Sequence, residues 1–160
     1  MHGIGACSKA LDRLGIEHEI VDAVEIDKYA VASFNAIHGT NFEPQDITTW
    51  NKDIECDLIC GGFPCQDISL AGKQAGIIEG VTRSGLMYEM MRIIQKVKPK
   101  YVITENVANI LSKKHVPQLE EYLIFLSKNG YKVTMDVLNA KDFEIPQNRD
   151  RIFIVGVRDD

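Results

Sequence analysis

Cys65 stands where a thiol could become reactive. It follows Gly61-Gly62-Phe63-Pro64 at the end of the apolar run Leu58-Ile59-Cys60, and a polar, glycine-rich stretch runs on from Gln66 to Gly85. A cysteine at the tip of a buried strand can be exposed and electrostatically tuned, as a nucleophile must be. The other reading, a small buried hydrophobe, suits Cys7, Cys56 and Cys60. Glu105, with Asn106, closes the apolar run that starts at Tyr101, either capping the next segment or serving as an acid in a site. Arg149 and Arg151 lie two apart in Pro146-Gln147-Asn148-Arg149-Asp150-Arg151. On a strand that spacing puts both on one face, as a solvated edge or a polar clamp. Gly3-Ile4-Gly5 precedes an expected helix, where glycines let backbone N–H groups approach a ligand. Glu25 ends the next expected strand about 20 residues on, the distance for a carboxylate on a ribose hydroxyl. A plain glycine turn and a solvated strand end are the bland alternatives. Together the two features favour an adenosine-type cofactor.

The elements that must hold these residues alternate in type. The pattern predicts a helix over 6–14 stopped by Gly15, a strand from Ile20 to Val24, and a helix capped by Asp27 and ended by Gly39. A buried strand is expected at Leu58 to Cys60, then a helix with apolar residues at 86, 87, 90, 91, 94 and 97. A strand from Tyr101 to Thr104 and a helix near 117–128 follow, the latter stopped by Asn129-Gly130. Tyr131 to Leu138 and Ile152 to Val157 read as two last strands, paired antiparallel. Alternation of this kind is the α/β signature of a mostly parallel sheet. In such sheets ligands sit beyond the carboxyl ends of the strands, where Glu25, Cys65 and Glu105 fall.

The chain has 160 residues, 45% of them hydrophobic and 26% charged, which excludes a disordered or fibrous protein. That length suffices for one domain without a disulfide or metal staple. No apolar run reaches a membrane span and no secretion signal opens the chain, so a cytoplasmic location and reduced thiols are expected. The three clustered cysteines, Cys56, Cys60 and Cys65, show neither a C-x-x-C pair nor a nearby histidine, so no metal is expected. A net charge of −5 is a poor signature for a protein that grips nucleic acid unaided.

Along nearly its whole length the chain resembles the DNA (cytosine-5)-methyltransferases. Gly62-Phe63-Pro64-Cys65-Gln66 looks like the family's nucleophile motif, and Glu105-Asn106-Val107 like its second catalytic motif. Gln147, Arg149 and Arg151 match its Gln-x-Arg-x-Arg element. Val24-Glu25-Ile26-Asp27 and Asp46-Ile47-Thr48 are similar to its cofactor-binding strand ends. The resemblance implies a doubly wound, Rossmann-like α/β fold with a mostly parallel sheet and an antiparallel final strand. It implies methyl transfer from S-adenosylmethionine to C5 of a cytosine flipped out of double-stranded DNA. Cys65 would attack C6, with Pro64 fixing the backbone beside it. Glu105 would supply the acid at N3, Arg151 would contact O2, and Arg149 would steady the site. Gln66, Lys73, Arg83, Asn106 and Gln147 would belong to the substrate side, the loop from Gln66 to Gly85 closing over the DNA. Gly3 and Gly5 would face the cofactor, Glu25 would bind its ribose, Asp46 its adenine amine, and Ile26 and Ile47 would line the ring.

Two departures from the family shape the expectation. Its strand of the form Asp-x-Phe-x-Gly, central in the sheet, would precede Gly3. Its target-recognition domain would follow Val157. Residues 1–160 therefore read as a partial catalytic domain that needs further polypeptide or a second subunit for activity. Two alternatives are a non-catalytic module binding S-adenosylmethionine or a partner chain, and a transfer-RNA cytosine-5 methyltransferase.

Overall fold

Helix boundaries fall where local chemistry marks them. Helix α1 (Ala6–Arg13) gives way to Gly15 in the left-handed region at φ 67°. Helix α2 (Lys28–His38) opens at Asp27, whose carboxylate accepts from the N–H groups of Tyr29 at 2.7 Å and Ala30 at 3.2 Å. Gly39 ends it at φ 65°. The computed structural model describes residues 3–63 and 86–159. The chain divides into two compact units, Met1–Ile54 and Glu55–Asp160.

In the first unit α2 turns Val31 and Phe34 inward. The strand expected from Ile20 to Val24 does not form: those residues belong to no ladder among the described residues. A strand exists only through a paired neighbour, and here side-chain bonds from Asp22 and Gln45 tie the segment instead. Cys7 is disulfide-bonded, against the expectation of a reduced thiol. Its few neighbours in sequence carry no information on which thiols the fold brings near.

The second unit holds β1 (Leu58–Gly61), α3 (Leu86–Val97), β2 (Tyr101–Val107), α4 (Val116–Lys128), β3 (Tyr131–Asn139) and β4 (Asp150–Arg158). Among the described residues its sheet has four strands in the order β1-β2-β4-β3. β1 and β2 are parallel, whereas β4 lies antiparallel to both its neighbours, so the sheet is mixed. The antiparallel pairing of the last two strands is as expected. Cys60, in β1, is disulfide-bonded, while Cys56 is a free thiol pushed up by burial and by the charge of Asp57. No helix among the described residues is long and apolar enough to cross a membrane.

β2 is longer than expected. Val102, Thr104 and Asn106 are buried on one face, and the ladder to β4 continues to Val107 opposite Arg151. Glu105 and Asn106 thus sit inside the strand rather than closing it. Helix α4 covers the buried face with Leu119, Tyr122 and Leu126, each contributing about 1.5–3 kcal/mol by leaving water. Helix α3 buries Met87, Met90, Ile93 and Ile94 at helical spacing.

Thr104 and Tyr122 share a hydrogen bond of 2.6 Å between their hydroxyls, both fully buried. Burial pushes the Tyr122 hydroxyl up to about 12; the Thr104 bond opposes the rise and Tyr131 adds to it. The folded state therefore keeps this proton longer than the unfolded chain does. Its contribution is complete below pH ~10, where an exposed phenol is neutral, and is lost as pH climbs toward 12. Urea midpoints measured from pH 9 to 12 should fall by an amount worth on the order of 2 kcal/mol more in the wild type than in Tyr122→Phe. Equal slopes would refute the assignment.

Candidate active site

The site in the second unit is built where β1 runs out beside β2. A Cβ placed on Gly62 would lie 2.7 Å from the carbonyl oxygen of Glu105 and 3.2 Å from its Oε2. Only a residue without a side chain lets the chain leaving β1 pass this close to Glu105. Phe63 is then driven into the core, edge-on to Tyr122 with ring centroids 6.2 Å apart. Its carbonyl accepts from the Asn106 side chain at 3.5 Å, and the Asn106 Oδ1 accepts from the N–H of Val107 at 2.8 Å. Asn106, expected on the substrate side, is only 2% exposed and packs beneath the entry to the nucleophile motif. Pro64, Cys65, Gln66, Lys73 and Arg83 lie outside the described residues.

Glu105 projects from the opposite face of β2 to Thr104 and Asn106, as the two-residue period requires. The register pairs Glu105 with Phe153 and Val107 with Arg151. Arg151 is therefore the diagonal neighbour of Glu105 on the same face, within reach of a long side chain. The Arg151 Nε donates to Glu105 Oε1 at 2.7 Å, and Arg151 Nη1 donates to the Asp150 carbonyl, also at 2.7 Å. A carboxylate and a guanidinium, both partly exposed, thus present fixed acceptors and donors side by side.

Arg149 lies one residue before β4 and is exposed, and its carbonyl accepts from the N–H of Ala140 at 3.1 Å. Asn139, at the end of β3, organises this segment. Its amide donates to Asn148 Oδ1 and Asp150 Oδ1, both at 2.7 Å, and its oxygen accepts from the N–H groups of Lys141 at 3.1 Å and Arg149 at 3.2 Å. Every donor and acceptor position of that amide is in use, and the segment carrying Arg149 is tied to the end of β3. Gln147 is exposed, its N–H donating to the Ile145 carbonyl at 2.6 Å. An asparagine ending a strand could be read as a local cap, but its partners 9 and 11 residues on are invisible to local sequence.

The first unit holds the adenosine-type candidates. Glu25 Oε1 accepts from the N–H groups of Ile26 at 3.0 Å and Asp27 at 3.2 Å, and its Oε2 accepts from Gly3 at 3.4 Å. Partial burial works to raise the carboxyl, yet its pKa is lowered, with the Asp27 and Gly3 N–H groups among those that outweigh burial. Ile26 beside it is 67% exposed. Asp46 is exposed and accepts from Thr48 N at 2.9 Å and Thr48 Oγ1 at 2.8 Å. Ile47 differs from expectation: at 8% exposure it packs in the unit's own core, so of the two isoleucines only Ile26 is exposed. Gly5 is also structural, since at φ 80° an added Cβ would meet His38 Nε2 at 2.3 Å and Phe34 Cε2 at 2.5 Å. Gly3, at φ 55°, has open space around it. Sequence reading missed Asp22, a buried carboxylate that ties Gln45, Trp50 and Lys52.

The close approach at Gly62 makes one substitution informative. Gly62→Ala should destabilise the fold by about 1–3 kcal/mol, because the atom in the way is strand backbone rather than a flexible tip. Urea denaturation of the purified variant measures this, and an unchanged midpoint would show that β2 yields freely.

Residues 1–160 match the C-5 cytosine-specific DNA methylase family. Orphan methyltransferase M.Rho11sI of Bacillus phage rho11s is 38% identical over 162 residues, covering 99% of this chain and 32% of that protein. Type II methyltransferase M.HhaI of Haemophilus parahaemolyticus is 37% identical over 160 residues, covering 99% of this chain and 47% of that protein. Among solved structures, a putative DNA modification methyltransferase encoded within an E. coli prophage superposes with a TM-score of 0.77 at 25% identity, over 98% of this chain and 44% of that one. The Dnmt2 methyltransferase of S. pombe superposes with a TM-score of 0.75 at 25% identity, over 98% of this chain and 47% of that one. The chain thus spans about a third to a half of these proteins' lengths. Its mixed α/β sheet is the Rossmann-like sheet of these neighbours, and the chain belongs to the C-5 cytosine-specific DNA methylase family.

Proposed function

We propose that this chain is the catalytic and cofactor-binding portion of a DNA cytosine-5 methyltransferase, acting on a cytosine flipped out of double-stranded DNA. The observation that carries the reading is the 2.7 Å pair between Glu105 and Arg151 on one sheet face, with Gly62 of the Gly-Phe-Pro-Cys-Gln motif packed against Glu105. A flipped base offers N3 and an exocyclic amine to a carboxyl group and O2 to a guanidinium, which these two side chains match.

Cys65 attacks C6 as a thiolate, and Glu105 supports the shift of electrons toward N3. C5 would then be nucleophilic enough to take the methyl group, with S-adenosylhomocysteine as the leaving group; loss of the C5 proton to water would push electrons back through the ring and break the Cys65–C6 bond, restoring the ring and the thiolate. Pro64 constrains the backbone beside Cys65, and Asn106 positions the same segment from beneath through Phe63. Arg151 holds O2. Arg149, Gln147, Gln66, Lys73 and Arg83 are assigned to the substrate side.

S-adenosylmethionine supplies the methyl group. The first unit suits its adenosine: Glu25 is an ionised acceptor for ribose hydroxyls, Asp46 accepts from an amino group, and Ile26 offers an exposed apolar face. Gly3 lies at the Glu25 carboxylate, while Gly5 and Ile47 support the site from the core. Because the chain spans a third to a half of its relatives, the activity is assigned to the complete methyltransferase length. The sequence-reading surface belongs to polypeptide beyond these residues, on the same or a second chain.

The test is transfer of a labelled methyl group from S-adenosylmethionine to unmethylated duplex DNA by the complete protein, with structured RNA in parallel. Label recovered on C5 of cytosine in DNA is expected. Label in RNA alone, or on a ring nitrogen, would refute the reading.

A further inference from the structure

We propose that Asp22 and Trp50 are positioning residues for the adenosine site, forming a brace that holds the Asp46–Ile47 side against the Glu25 side. The inference rests on the reading of Glu25 and Asp46 as adenosine ligands. Asp22 has a side chain only 6% exposed. Its Oδ2 accepts from the Trp50 indole Nε1 at 2.7 Å. Its Oδ1 accepts from Gln45 Nε2 at 2.7 Å, Lys52 Nζ at 3.0 Å and the N–H of Ala23 at 3.0 Å. Gln45 also donates its side chain to the Ala23 carbonyl at 2.8 Å and its N–H to the Glu25 carbonyl at 2.8 Å.

Asp46 and Ile47 consequently lie between two tethers, Gln45 on one side and Trp50 on the other, both fastened to residues 22–25. The turn between them is closed by Thr49 N–H to the Asp46 carbonyl at 3.2 Å and Trp50 N–H to the Ile47 carbonyl at 3.3 Å. Where no ladder joins residues 20–24 to a neighbour among the described residues, this carboxylate sets the spacing between the two ligand-bearing segments. Burial works to raise its carboxyl, but the Trp50, Gln45, Lys52 and Ala23 donors hold it below the usual range, so it is ionised at neutral pH. A fully satisfied buried carboxylate fixes geometry tightly, since each displaced donor leaves part of the charge unmet.

Trp50 is the only tryptophan of the chain, so its emission reports the brace directly. Asp22→Asn turns an amide donor toward other donors while keeping the shape. The variant should stay helical by circular dichroism, shift Trp50 emission to the red, and bind both S-adenosylhomocysteine and 5′-methylthioadenosine about tenfold more weakly by calorimetry. Trp50→Phe removes the indole donor alone and should weaken binding in the same direction. The double variant should lose no more than Asp22→Asn alone, because Asp22→Asn already disrupts the bond that Trp50→Phe removes, whereas independent losses would add. Unchanged affinity in a folded Asp22→Asn with shifted emission would overturn the proposal. If Asp22→Asn fails to fold, unchanged affinity in Trp50→Phe does so. Absence of binding by the unaltered chain, with its Trp50 emission blue and normal, would overturn the adenosine reading, and the proposal with it.

Discussion

Cys65→Ser is expected to abolish covalent capture of the complete methyltransferase by duplex DNA carrying 5-fluorocytosine. Fluorine at C5 cannot leave as a proton does, so an enzyme that has attacked C6 and transferred its methyl group stays bound through sulfur. A hydroxyl at the same position is far less ionised and far less nucleophilic than a thiol. Methyl transfer to ordinary DNA should fall at least about a thousandfold, in keeping with the loss of other catalytic nucleophiles. Cofactor affinity should not change, since Glu25, Ile26 and Asp46 are assigned to that task. Denaturing gels resolve the adduct. A serine variant that is still captured would place the nucleophile elsewhere and remove the main chemical assignment.

The second large effect is expected at Glu105→Gln. The amide keeps the shape and can still accept from Arg151 at one oxygen, but it removes the carboxyl group that can exchange a proton at N3 and the charge that pairs with the guanidinium. A positioned acid or base contributes roughly 10²–10⁴ to rate, so single-turnover methyl transfer should slow by that range. The side chain is partly exposed and its backbone stays in the β2 ladder, so the urea midpoint should move little. Capture by 5-fluorocytosine DNA should slow in parallel, because the attack at C6 is the assisted step. A rate within threefold of wild type would show that the Glu105–Arg151 pair is structural.

Residue type and spacing made much of this legible. Helix ends were readable because Asp27, Gly15 and Gly39 act on backbone groups within a few residues of themselves. Glu105 and Arg151 stood out as charged residues in apolar runs, but their 2.7 Å contact depends on a register between strands far apart in sequence. The same limit hides the tie at Arg149, whose N–H is held by Asn139 ten residues earlier in the chain. Ile47 carried the motif expected of a ring-lining residue, yet the turn back to Trp50 folds it inward. Asp22 was silent because a carboxylate among Ile20, Val21 and Ala23 looks like an ordinary surface position until Trp50 and Gln45 return to it.

The strand order also sets a sequence of events during synthesis. β4 lies between β2 and β3 in the sheet yet is the latest of the four to be made. Every pair it forms with β2 joins residues more than forty positions apart. Until it leaves the ribosome, β2 and β3 have no shared neighbour among the described strands, and the β2 backbone groups that face β4 wait without a ladder. Closing such long loops is slow, and a waiting strand edge can be captured by another nascent chain. Slowing elongation just before Asp150 should therefore raise misfolding more than the same pause placed after Arg158, while leaving the final stability untouched.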